Sequence, residues 1–249
     1  MFGVHLAAAA VGVLLAGPFQ YIVPVQGDSG PLEPGVWQAK LDVVNPSDEM
    51  LTLTIEDVYP MNGQALCPPE LREFLIPPRG AIRVNATACP VRSLQALVFT
   101  TEKPVIPVVD ASALASCGEP QSIPFETEWF PPDREVLIAR ADFRPTHSRV
   151  NLILVNPDDE PLIATYRRFS TEEQNEYDVL VPARSLIIHP VNTPDFACGS
   201  GGPIGGPFPD QTCGIAVRAT GRFYAGASVI RNATNDAVYR RGTLLEAAE

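Results

Sequence analysis

Lysine is almost missing from this chain. Of 18 basic residues only Lys40 and Lys103 are lysines, and 29 Asp and Glu leave a formal net charge of −11. A field of that sign repels a phosphate backbone, so nucleic acid is not expected as a partner. The bias of the remaining basic residues to Arg suggests a GC-rich bacterial genome. Histidine is scarce as well: His5, His147 and His189 are the only three. None of the cysteines forms a CxxC and no His lies at ligand spacing, which argues against zinc. No G-x-S-x-G elbow surrounds Ser228, and no motif aims His147 or His189 at a nucleophile. The chain is therefore read as a non-enzyme with no cofactor, no metal and no catalytic residue. No apolar run is long enough for a membrane-spanning helix. The longest, Leu6 to Ala16, fits the apolar segment of a signal peptide. Residues 1–17 are thus expected to be a leader, and the protein to be secreted, periplasmic or at the cell surface.

What is plentiful is proline, 26 of 249 residues. That is roughly double the usual ~5%, a load that helices tolerate poorly and that turns and edge strands absorb. A hydrophobic content of 45% with 19% charged residues fits a globular chain with real cores.

One stretch occurs twice. Val44-Asn45-Pro46-Ser47-Asp48-Glu49 returns 111 residues later as Val155-Asn156-Pro157-Asp158-Asp159-Glu160. Apolar residues alternate on both sides of each copy: Trp37, Ala39, Leu41 and Val43 before the first, Leu51, Leu53 and Ile55 after it. Val150, Leu152 and Leu154 precede the second copy, and Leu162, Ala164 and Tyr166 follow it. Period-two alternation marks strands with one buried face, and Asn-Pro supplies a turn. Each copy is read as a strand–turn–strand hairpin. Pro77-Pro78-Arg79 likewise matches Pro182-Ala183-Arg184, at an offset of 105. Further short strands follow each hairpin, seven or so per unit, which is the pattern of tandem β-sandwiches. The expected division is 18–112 and 134–241 as two β-sandwich domains, 113–133 as a proline-rich connection held by Trp129 and Phe130, and 242–249 as a tail with a helical turn at most.

Tyr21-Ile22-Val23-Pro24, Trp37-x-x-x-Leu41-x-x-x-Asn45-Pro46, Pro77-Pro78 and Ser228-Val229-x-x-Asn232-x-x-x-Asp236 together resemble secreted bacterial proteins built of tandem immunoglobulin-like β-sandwich modules. The resemblance spans most of residues 19–241; Trp37 has no aromatic counterpart in the second repeat, where Ser148 stands. It implies an all-β fold of two such domains, an envelope location and a structural, adhesive or binding role with a protein or glycan partner, and it supplies no catalytic residues. Asn156-Pro157 with Val181-Pro182-x-Arg184 is similar to the second domain of periplasmic assembly chaperones. That class would anchor a subunit's carboxylate on a basic pair between its domains. A carbohydrate-binding module or a hydrolase is the remaining alternative.

In an oxidising compartment Cys198 and Cys213 would close the Gly/Pro-rich loop between them, worth roughly 3 kcal/mol by loop closure. Cys89 is the repeat counterpart of Cys198, with Cys67 as its partner, leaving Cys117 single. The acidic turns Asp48-Glu49 and Asp158-Asp159-Glu160 lack the spaced pattern of a calcium loop and are read as solvated turn charge. Gly199-Ser200-Gly201-Gly202 and Gly205-Gly206 are followed by prolines that forbid the helix a phosphate loop needs. Asn85-Ala86-Thr87 and Asn232-Ala233-Thr234 match the glycosylation sequon, which matters only in a eukaryotic source.

Overall fold

The computed structural model describes residues 18–28, 37–63, 72–84, 94–113, 121–141, 148–169, 176–191, 213–231 and 237–245. Among them there is no helix, and the chain is all-β. The first half holds β1 (Phe19–Asp28), β2 (Trp37–Val44), β3 (Leu51–Pro60), β4 (Glu73–Ile76), β5 (Ala81–Val84), β6 (Leu94–Thr101), β7 (Ile106–Ala113) and the two-residue β8 (Gln121–Ser122). In the second half come β9 (Val136–Ala141), β10 (Ser148–Asn156), β11 (Leu162–Phe169), β12 (Glu176–Val181), β13 (Ser185–Pro190), β14 (Cys213–Ala219), β15 (Tyr224–Arg231) and β16 (Ala237–Leu244).

Strand neighbours repeat. The order β4-β3-β6-β1 corresponds to β12-β11-β14-β9, and β5-β2-β7-β8 corresponds to β13-β10-β15-β16. All these pairings are antiparallel. Each half is thus one eight-stranded sheet, and a nearly closed, barrel-like eight-stranded sheet is present. The two halves differ in how their strands join. In the first, β1 shifts register between Val23 and Gln26 and reaches β2 through Gly27 and Asp28. In the second, β16 runs between β15 and β9, pairing Gly242 with Ile138.

The hairpin reading of the Asn-Pro repeats is overturned. β2 pairs with β1, β5 and β7, whereas β3 pairs with β4 and β6. β10 and β11 likewise have no partner strand in common. Each repeat is an arch that carries the chain from one limb of the sheet to the other. Alternation could not separate the two cases, because stacked strands and paired strands both bury every second residue. Leu41 and Leu152 are both fully buried at matching positions.

The Asn at each arch explains the motif. Asn45 Nδ2 donates to the carbonyl oxygens of Glu49 (2.7 Å), Ile76 (3.3 Å) and Pro77 (3.2 Å), and its Oδ1 accepts from Ser47 N (2.9 Å). Asn156 does the same with Glu160 (2.9 Å), Val181 (3.3 Å), Pro182 (3.0 Å) and Asp158 N (2.9 Å). One buried amide therefore bolts each arch to the Pro-x-Arg turn, adding a donor to carbonyls at the strand end and in both turns. Arg79 and Arg184 hold that turn at positive φ, 51° and 47°.

One further reading is corrected. Gly242 to Leu244 are strand, not a helical tail. Gly242 fits there because a Cβ would strike the Val136 side chain and lie 2.5 Å from the Ala225 carbonyl oxygen. The segment read as a connection at 113–133 also joins both halves: Glu126 pairs backbone-to-backbone with Ile22, and Phe130 with Phe223. Trp129 packs on the first core and Phe130 belongs to the second.

Candidate functional site

The place where side chains of both halves converge is the junction between them. Ile153, Val155, Leu186 and Tyr224 of the second half belong to the core cluster of the first. They project from β10, β13 and β15 on the side opposite Leu152, Leu154 and Ala225, so these strands are buried on both faces. The sequence carried this signal. Val150 to Val155 is interrupted only by Asn151, whereas the matching stretch of the first repeat holds Lys40 and Asp42; a near-continuous run is what a doubly buried strand needs. Reading it as simple alternation hid Ile153 and Val155.

Two charged contacts clamp the junction. Arg184 donates to Asp57 of the first half and lies over the Tyr59 ring at 5.3 Å, with Trp129 edge-on to the same ring at 5.7 Å. Burial works against the Arg184 charge, but Asp57, Tyr59 and Asp159 outweigh it and hold the pKa above the ordinary arginine range. Burial, with Asp57 beside it, pushes the Tyr59 phenol up as well. The same turn position in the first repeat, Arg79, makes only an exposed bidentate pair with Asp48, at 2.7 and 3.0 Å. The second clamp is Glu126, buried, with Arg241 Nε 2.5 Å from its Oε1. This is a charge contact and not a well-angled hydrogen bond. Burial raises the Glu126 pKa and Arg241 offsets part of the rise. Asn62 N donates to Leu186 O at 2.8 Å, adding a main-chain tie.

Also at the junction, the two halves line a half-open cavity of about 200 Å³. Val25, Ala39, Leu94 and Ala111 form part of its wall from the first half, and Ile153, Ile188 and Ile230 from the second. Asn151, Ser228 and Tyr239 lie in register across β10, β15 and β16 and give that wall a polar row.

The residues singled out in the sequence fall mostly elsewhere. Cys67, Cys89, Cys117, Cys198, His5, His147, the glycine-rich loop and both sequon asparagines lie outside the described residues, as does the Cys213 side chain. His189 is half-buried on β13, its Nε2 3.4 Å from the Tyr166 hydroxyl, and burial lowers its pKa. Ser228 faces the cavity beside Asn151 and Tyr239. Four of the five turn carboxylates face cations: Asp48 meets Arg79, Glu49 meets Lys103 (2.6 Å), Asp158 meets Arg222 (2.6 Å) and Asp159 meets Arg184 (3.6 Å). Among the described residues no three His, Cys, Asp or Glu are grouped to hold a metal, and no helix is long and apolar enough to cross a membrane. The basic residues described at the junction, Arg184 and Arg241, already face carboxylates. The chain matches no family model, no curated protein and no solved structure.

Proposed function

We propose that this is a non-catalytic protein of the bacterial envelope or cell surface, built of two immunoglobulin-like β-sandwich domains clamped into one body, with a structural, adhesive or binding role. The observation that carries this reading is the junction: two halves of matching strand order meet through a shared apolar core. Strand order gives further support. The B–E and C–F pairings of an immunoglobulin-like sandwich have counterparts in β2–β5 and β3–β6. The first and last strands of that unit exchange edges relative to it, β1 lying beside β6 and β7 beside β2. Export would also place Cys198 with Cys213 and Cys67 with Cys89 in an oxidising compartment.

The test is fractionation of the native host, non-reducing peptide mapping and a pull-down with the full chain. Recovery from the envelope or medium, with the two disulfides and a co-purifying protein or glycan, is the expected result. A cytosolic protein with free thiols at Cys198 and Cys213 overturns it.

A further inference from the structure

We propose that the junction cavity is a binding site for a compact, mostly apolar molecule with one hydrogen-bonding head, the size of a substituted phenol. This goes beyond the envelope role, which stands whether or not the cavity takes a ligand.

Internal comparison of the repeats shows how the space arises. Ala39 pairs across the ladder with Ala111 in the first half. At the equivalent place in the second half, offset by 111 and 118 residues, Val150 pairs with Val229 and fills its core. The first repeat has alanine at both positions, and both alanines line the cavity. Gln38 is the one polar residue of the first-half wall, and the opposite wall supplies a polar row. Asn151, Ser228 and Tyr239 form one cross-strand row between Ile153 on one side and Ile230 on the other. A dry apolar cavity of roughly 150 Å³ takes up a molecule the size of benzene. At about 200 Å³, this one has room for a ring with substituents, oriented by its head towards the polar row. Small concave sites of this kind, mainly apolar with a few placed polar groups, orient a ligand by the polar contacts.

The probes are 4-methylphenol and toluene, titrated against the full chain by calorimetry and ligand-observed NMR. Saturable binding of 4-methylphenol is expected, with Kd between about 10 μM and 1 mM, the range open to so few atoms. Toluene should bind more weakly. Ser228→Ala should weaken 4-methylphenol by about three- to tenfold, the worth of one hydrogen bond, and leave toluene unchanged. Restoring the second repeat's pair with Ala39→Val and Ala111→Val should abolish binding of both. Should that double variant fail to fold, Ala39→Val and Ala111→Val made singly serve as the filled variants, and each should weaken both probes. No saturable binding to the parent, or equal binding to a folded filled variant, overturns the site. Equal affinity for the two probes, or a Ser228→Ala variant that weakens both alike, overturns the polar row as its orienting pole.

Discussion

Asn45 and Asn156 carry more of the fold than their place in surface-like turns suggests. Each amide reaches three carbonyls from two separate segments. Removing it takes a donor from the buried carbonyl of Ile76 or Val181 and unties the arch from the turn, at about 1–3 kcal/mol for a buried group left short of a partner. Asn45→Ala and Asn156→Ala should each lower stability by about 2–4 kcal/mol in urea melts. Asp at either position should be no better, since a carboxylate cannot donate to a carbonyl; a melt within ~0.5 kcal/mol of the parent would show the amide to be dispensable. Glu126 gives a pH signature. Its raised pKa means the folded state still holds a proton at pH values where the unfolded chain has lost it. The folded state then binds more protons, so stability falls as pH rises from the ordinary glutamate range through the raised value. Glu126→Gln should flatten that slope and melt higher at pH 7, because Arg241 is largely exposed and keeps its water. Thermal melts from pH 4 to 8 decide it; an unchanged slope assigns the dependence to other groups.

At the scale of elements, the seams and edges separate what is rigid from what is open. Gly242 lets β16 close against β9, and a methyl there would meet backbone as well as a side chain. Gly242→Ala should therefore cost about 1–3 kcal/mol as overpacking, measurable by denaturant unfolding. The edge strands β4 and β12 show equivalent faces: Glu73 and Leu75 in the first half, Asp178 and Leu180 in the second, with both leucines 65% exposed. Ile163, itself exposed, stands opposite Leu180. Acidic residues, short length and a following proline protect such edges, while an exposed leucine invites pairing. Exchanging Leu75 and Leu180 for Lys should change stability by no more than ~0.5 kcal/mol and reduce concentration-dependent association in light scattering.

For the whole molecule, the shared core predicts coupled unfolding. Because Ile153, Val155, Leu186 and Tyr224 pack with the first half, both halves should melt in one calorimetric transition. Ile153→Asp places a charge in that junction; it should split the transition into two without removing either half's own core. A parent that already melts in two steps would refute the coupling. The two turn arginines offer a matched control. Arg184→Ala should lower Tm more than Arg79→Ala, because only Arg184 reaches across to Asp57.

The sequence by itself determined most of the strands (β8 and β16 were not read from it), the repeated segments and the buried parity of Leu41 and Leu152, because alternation and proline act locally. It also pointed to the Asn-Pro and Pro-x-Arg turns separately. That one asparagine joins the two turns was not legible, since the carbonyls it serves lie 31 and 25 residues away at Ile76 and Val181. Tertiary structure also decided that each turn is an arch and not a hairpin, because pairing partners are chosen by sheet closure across the core. The junction is its product too. Arg79 and Arg184 stand at the same repeat position, yet only the second meets a carboxylate of the other half, because the outer face of β10, β13 and β15 is covered by the first half.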